Sequence, residues 1–374
     1  MPEPVDPVTA AATSSADPAT LLRDAVRQLP GYVAGRRSTS PATAPLASNE
    51  SHEPPLPGVV EAITEAAGRA NRYPDMGCLA LREAIAAATG LALGQVAVGP
   101  GSVAVLQQLI SATCAAGDEV VFAWRSFEAY PILAGIAGAV PVRVPLRPDE
   151  GHDLAAMLAA LTDRTRLILL CTPNNPTGVA IDPAELAGFL DAVPQRIAIG
   201  IDEAYLEYGP DPAGRAGLAL LARHPNVCLL RTFSKAWGLA GLRVGYGLAA
   251  EPLAEGLRRT AVPFGVSGPA QAAALAALAA RDEVLRRAAA VVAERQRMQT
   301  RLAEDGWQLP TSSANFLWLR CSGPAYDQLL ACFDAADILV RGYPGDGIRV
   351  SLADPASNDR VLDVLAAPEL LARR

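Results

Sequence analysis

One lysine stands among the 32 cationic side chains of this 374-residue chain; the other 31 are arginine. Arginine serves wherever a solvated positive charge is enough. Its guanidinium keeps its proton at any working pH, so it cannot attack a carbonyl. An amine nucleophile in this chain can therefore only be Lys235, and the chemistry it offers is a Schiff base. The lysine lies in Arg231-Thr232-Phe233-Ser234-Lys235-Ala236-Trp237-Gly238-Leu239-Ala240-Gly241-Leu242-Arg243. The hydroxyls of Thr232 and Ser234 and the guanidinium of Arg243 are phosphate ligands in kind. A neighbouring cation also lowers the pKa of an amine. A lysine left over by compositional accident would rarely fall among such groups.

Three further segments carry groups of the same character. Gly99-Pro100-Gly101-Ser102-Val103-Ala104 follows a short apolar run and opens a helical one. Its G-x-G-x-x-A spacing lets a phosphate approach the first amides of a helix. A dinucleotide site would need an acid at the far end of the next strand, but Asp118 and Glu119 precede that strand. The cradle reading stays, beside the plainer one of an ordinary strand-to-helix turn. Thr172-Pro173-Asn174-Asn175-Pro176-Thr177-Gly178 is a rigid polar turn that displays an amide. Ile201-Asp202-Glu203-Ala204-Tyr205 ends an apolar run with a carboxylate and a phenol. Asp202 could simply cap the following turn; a buried carboxylate there instead needs a cationic partner. A phosphate cradle, a carboxylate, a phenol, an amide and an amine nucleophile are together what pyridoxal 5′-phosphate needs.

Elements must hold these groups together. From Leu79 onward, short apolar runs alternate with amphipathic stretches. Strands are predicted at Val96–Val98, Glu119–Ala123, Pro141–Val144, Leu167–Cys171, Ile197–Ile201, Val227–Leu230 and Val244–Leu248. Helices are predicted at Ala80–Thr89, Val103–Ala115, Ala129–Ala137, near Leu154–Leu161 and after Asp182-Pro183. This rhythm indicates an α/β layer around a mostly parallel, doubly covered sheet. After Pro263-Phe264-Gly265 it changes to two long helices, Pro269–Ala280 and Asp282–Glu304. Strands at Asn315–Arg320, Ile338–Arg341 and Ile348–Leu352 and a last helix from Ser357 follow. Ligands in open α/β sheets bind at the carboxyl ends of strands, where every segment named above falls.

The totals exclude other classes. Half the residues are hydrophobic and the formal net charge is −7, which argues against disorder and against a nucleic-acid surface. No apolar run approaches the ~20 residues that would span a bilayer. Residues 1–20 carry acids among prolines and small residues, so they are expected to be a disordered leader rather than a secretory signal. The six cysteines form no C-x-x-C pair and the three histidines are scattered, so no metal is expected and a reducing cytoplasm is.

The chain resembles fold-type I pyridoxal-phosphate aminotransferases, within them the histidinol-phosphate aminotransferase branch, and most of all its actinobacterial aromatic amino acid members. The words that carry the resemblance are Asn-Arg-Tyr-Pro-Asp (71–75), Pro-Asn-Asn-Pro-Thr-Gly, Asp-Glu-Ala-Tyr, the segment 231–246 and Ala-Asn-Phe-Leu-Trp-Leu (314–319). It implies a large domain, 49–262, with a mostly parallel sheet between helices, and a smaller α/β domain, 263–374. Residues 21–48 would pack on the smaller one. It further implies that Lys235 carries the cofactor, Asp202 holds the pyridinium proton, and Asn175 and Tyr205 bond the ring hydroxyl. Phe127 would stack on the ring. Ser102, Val103, Thr232, Ser234 and Arg243 would hold the phosphate, joined by Tyr73 from a second copy in a homodimer with shared sites. Arg349 would pair with the substrate α-carboxylate, a structural ion pair being the plainer account; Asn49, Asn175 and Tyr32 would complete the substrate site.

Two positions depart from the pattern. Relatives usually carry N-E-N-P-F/Y-G where this chain has Asn49-Glu50-Ser51-His52-Glu53-Pro54, and Trp237 replaces a smaller residue. The expected reaction is transamination of an amino acid, an aromatic one first, with an acceptor such as 2-oxoglutarate. Histidinol phosphate as donor, or a decarboxylase or lyase on the same scaffold, is the alternative. A transcription regulator that senses the cofactor would need an N-terminal DNA-binding domain, which the acidic leader does not supply.

Overall fold

The structure, a computed structural model, describes residues 21–31, 35–36, 40 and 42–367. The leader at 1–20 and Tyr32 lie outside the described residues.

Two sheets organise the chain. The larger one has seven strands: β2 (Val96–Gly99), β3 (Glu119–Trp124), β4 (Val140–Pro145), β5 (Thr165–Cys171), β6 (Ala198–Asp202), β7 (Val227–Thr232) and β8 (Gly245–Ala249). The smaller one has four, β1 (Ala44–Leu46), β9 (Phe316–Arg320), β10 (Ile338–Tyr343) and β11 (Gly347–Ser351). The order in the large sheet is β2-β8-β7-β6-β5-β3-β4. Only β8 runs against the others. The apolar runs are strands because successive side chains point to opposite faces, so a doubly covered strand is apolar throughout. In β3, Val121 and Ala123 join the core on one face while Val120 and Phe122 join that on the other. The helix Ser102–Thr113 covers the second face through Val105, Leu106, Leu109 and Ile110.

The expected elements are present, with small shifts that have local causes. β4 extends over Pro141 and Pro145 because it is an edge strand, where a missing N–H breaks no ladder on the open side. The last helix starts at Pro355, not Ser357, since Asp354 accepts the Ser357 amide at 3.0 Å and proline suits a first turn. Helices at Pro57–Ala67, Arg215–Arg223 and Glu251–Arg259 add to those expected.

In the small sheet the order is β1-β10-β11-β9, with β1 parallel to β10 and the remaining pairs antiparallel. The N-terminal segment is thus stitched to strands nearly 300 residues away, and it leads directly into Ala47, Ser48 and Asn49. The helix Gly268–Ala279 presents Ala270, Ala273, Ala274 and Ala277 to the same core as Val59, Leu81 and Ile85. It therefore packs on the large-sheet side, where small side chains allow a close approach to the helix Pro57–Ala67.

Candidate active site

A cavity of about 240 Å³ opens where the carboxyl ends of the large sheet meet the small sheet. Its wall includes Ser102, Val103, Phe127, Cys171, Asn175, Asp202, Tyr205, Thr232, Ser234, Lys235, Arg243 and Arg349.

One end is built from strand-to-helix turns. Gly101 has φ +85°, and a Cβ there would lie 2.5 Å from an Arg243 guanidinium nitrogen. Only glycine lets the chain turn into the helix beginning at Ser102 while Arg243 stays beside it. A Cβ at Gly245 would lie 2.4 Å from the Ser102 amide nitrogen, so the neighbouring strand presses equally close. The Ser234 amide donates to Thr232 Oγ1 at 3.1 Å, and Arg243 Nη1 donates to Ser234 Oγ at 3.2 Å. Helix amides, two hydroxyls and a guanidinium converge on one spot, which fits a phosphate dianion.

Asp202 ends β6 and is buried. Its Oδ2 accepts from the Tyr130 hydroxyl at 2.9 Å and its Oδ1 from the Ala204 amide at 3.2 Å. Burial pushes its pKa up to about 6, against the lowering effects of these two donors. A carboxylate so placed favours a cationic partner, which a protonated ring nitrogen supplies. It does more than cap a turn.

Lys235 Nζ donates to the Ser48 carbonyl at 3.0 Å. Burial and then Arg349 lower its pKa to about 8, with Arg243 adding to the effect and Glu50 and Asp202 opposing it. A useful fraction of the amine is thus neutral near neutral pH, as a nucleophile requires.

The other end is assembled from distant segments. Arg349, on β11, is buried; its Nη1 donates to Asn175 Oδ1 at 2.6 Å and to the Tyr343 hydroxyl at 3.2 Å, and Nη2 to the Ala47 carbonyl at 2.6 Å. Its Nε has no partner, and no acid is paired with it among the described residues. A buried guanidinium in that condition fits an incoming carboxylate, and the account of Arg349 as a structural ion pair fails. Asn49 Nδ2 donates to the Tyr205 hydroxyl at 2.9 Å, and Asn49 is itself gripped by Ser351 and Asn315. Of the two adjacent asparagines, Asn174 turns inward to Ser126, Thr177 and the Arg125 carbonyl, leaving Asn175 to face the cavity.

These features accommodate pyridoxal 5′-phosphate: an anion cradle, a carboxylate for the ring, an amine for the aldehyde and, beyond it, a guanidinium with no acid paired to it among the described residues. Three residues discussed above lie outside this cavity. Tyr73 is 83% exposed, stacks on Phe264 at 4.6 Å and does not line this chain's own cavity. Trp237 is core: its Nε1 donates to buried Glu207 at 2.7 Å and its ring packs on Phe233. Glu53, in the divergent segment, pairs with Arg287 at 2.8 Å instead of facing the cavity. Tyr130 was not singled out by sequence, although it sits three positions after Phe127, where a helix's first turn brings it alongside.

Residues 43–365 match the family described as aminotransferase class I and II, and the chain belongs to that family. Its members depend on pyridoxal phosphate, as this enzyme does. The chain is 50% identical over 345 residues to an aromatic amino acid aminotransferase of Streptomyces avermitilis, covering 92% of this chain and 96% of that one. It is 52% identical over 338 residues to one of Rhodococcus opacus, covering 90% and 93%. A solved histidinol-phosphate aminotransferase of Sinorhizobium meliloti, in complex with pyridoxal-5′-phosphate, superposes with a TM-score of 0.83 at 30% identity, covering 94% of this chain and 97% of that one.

Proposed function

We propose that this enzyme transfers the amino group of aromatic amino acids to a 2-oxo acid such as 2-oxoglutarate. The observation that carries the donor class is the half-identity, over nine-tenths of both chains, to aromatic amino acid aminotransferases. The cavity supports it through the rings of Phe127, Tyr205 and Tyr343, which line it together with Arg349.

When bound, pyridoxal phosphate supplies an aldehyde to receive the amino group and a ring to accept an electron pair. Lys235 Nζ would hold the cofactor through its aldehyde and, with its lowered pKa, is the base that would move the α-proton. Arg349 grips the α-carboxylate and so fixes which Cα bond faces that amine. Asp202, oriented by Tyr130, would hold the proton of the ring nitrogen. Asn175 and Tyr205 would hold the ring hydroxyl, Phe127 would stack on the ring, and Ser102, Val103, Thr232, Ser234 and Arg243 would anchor the phosphate. Asn49 reaches the substrate side through Tyr205.

The two sheets support a division into a cofactor-binding part, 49–262, and a smaller part, 263–374, on which β1 (Ala44–Leu46) is packed. The expected packing of all of 21–48 on the smaller part does not hold for the helix Asp24–Arg27, which lies against the helix Ala129–Ala137, Arg23 donating to the Ile136 carbonyl. The helix Gly268–Ala279 leans on the larger part. The exposed apolar residues Tyr73, Met76, Leu79 and Val262 support a homodimer in which Tyr73 serves the partner's site. Six free thiols support a cytoplasmic location, and no described helix is long and apolar enough to cross a membrane.

Single half-reactions with phenylalanine, tyrosine, tryptophan and histidinol phosphate, followed by cofactor absorbance, test the reading. Aromatic donors should react fastest, and the same preparation should sediment at twice the 38.9 kDa chain mass. Preference for histidinol phosphate would favour the second reading, which the 30% likeness to the Sinorhizobium meliloti enzyme supports. Release of CO2 without amino transfer would point to a decarboxylase.

A further inference from the structure

Two arginines, not one, face the substrate end of the cavity. Arg341 on β10 and Arg349 on β11 are directly opposed in the antiparallel register, so their side chains share a face. Both line the cavity. Like charges directly opposed repel unless one is compensated. The compensation is unequal: among the described residues Arg349 has no acid, whereas Arg341 Nη2 donates to Glu128 Oε2 at 2.7 Å, with side chains only 12% and 28% exposed. Glu128 also lines the cavity, from the large-sheet side, immediately after Phe127 and before the helix Ala129–Ala137. Tyr343 sits between the two arginines, bonded to Arg349 and with its ring centroid 5.5 Å from the Arg341 guanidinium carbon.

We propose that Glu128 determines side-chain specificity by neutralising Arg341, which would otherwise be a second anion site beyond the α-carboxylate arginine. The inference rests on the reading of Arg349 as the α-carboxylate ligand. With Glu128 in place, the far end of the cavity is charge-balanced beside Phe127 and Tyr343, so an uncharged ring enters without opposing a bare cation. An acidic side chain, such as that of glutamate or its 2-oxo acid, binds there in competition with Glu128 for Arg341. One pocket then accepts both partners of a transamination, the aromatic one at rest and the dicarboxylate after exchange of one ion pair for another.

The test compares half-reaction kcat/KM for phenylalanine and glutamate in the wild type, Glu128→Gln and Arg341→Gln holoenzymes. In E128Q the phenylalanine-to-glutamate ratio should fall about tenfold, chiefly through a lower KM for glutamate. In R341Q, kcat/KM for glutamate should fall about tenfold or more while that for phenylalanine changes less than about threefold. A purely structural pair would lower both substrates together, through kcat as well as KM. An E128Q ratio within about twofold of wild type, or equal losses for the two substrates in R341Q, overturns the proposal. Should E128Q not fold, the R341Q arm decides alone. A wild type that turns over no aromatic donor refutes the aromatic reading instead, and leaves the glutamate response of the two variants to judge Glu128.

Discussion

The two ends of the cavity are made in different ways. The phosphate end comes from turns that follow single strands of the large sheet: Gly101-Ser102-Val103 after β2, and Thr232 to Arg243 between β7 and β8. Each is a continuous stretch, and its ligands are largely backbone amides and short hydroxyls. The substrate end takes Ala47, Ser48 and Asn49 from near the start of the chain, Phe127 and Glu128 from the middle, and Arg341, Tyr343 and Arg349 from near its end. Those groups meet through long-range contacts such as Arg349 with Asn175 and Ala47. Short-range geometry suits a ligand that never changes, the cofactor. Long-range assembly lets substrate preference vary without disturbing the cradle.

Lys235 lies where the two ends meet, and its removal should have the largest effect. Lys235→Ala should lower turnover about 10⁴-fold or more, with the thermal transition of the protein little changed. Since no other lysine exists, borohydride should no longer fix the cofactor covalently to the chain, as mass spectrometry would read. Turnover near the wild-type level would break the comparison at its centre.

The next effect separates the ends. Arg349→Gln should cost about 10- to 100-fold in kcat/KM through a raised KM for the amino acid, leaving cofactor retention on dialysis unchanged. Arg243→Gln should do the reverse, losing cofactor on dialysis and regaining activity when excess is added. If both variants lost cofactor alike, the distinction between the ends would be wrong.

The smallest effect concerns the carboxylate at the cofactor end. Asp202 has a pKa of about 6 in the folded chain and an ordinary value of 3.8. Between those values the native state binds more protons than the unfolded one, so stability falls as pH rises through this window. The cofactor-free protein should therefore carry a penalty of up to about 3 kcal/mol above pH 6 that is absent below pH 4. Asp202→Asn should recover part of it at pH 7.5 and none at pH 4, by denaturant unfolding of the cofactor-free forms. A gain equal at both pH values would place its origin in packing, not charge.

The same division explains what was legible in the sequence. The phosphate end could be read from contiguous words, because a strand, a glycine turn and a helix start leave a local pattern. Asp202 was visible for the same reason, at the end of an apolar run, and Lys235 stood out first as the one lysine in the sequence. Arg349 was reached only through resemblance, since its meaning depends on lacking an acid in three dimensions. Glu128 and Arg341 were not singled out, being 213 positions apart and ordinary charges in isolation. Trp237, beside the lysine in sequence, proved to belong to the core because its indole N–H finds Glu207 on the far side.

Residues 47–49 touch Arg349, Lys235 and Tyr205 in turn, and Asn49 is held by Ser351 across 302 positions. A ribosome making this chain emits that loop early and its anchoring strand almost last. The strands of the large sheet and its cradle are all complete by Ala249, whereas Arg349, the proposed grip on substrate, comes only with β11. A chain cut short before residue 347 would keep the sequence of its cradle and lack Arg349, the proposed carboxylate ligand.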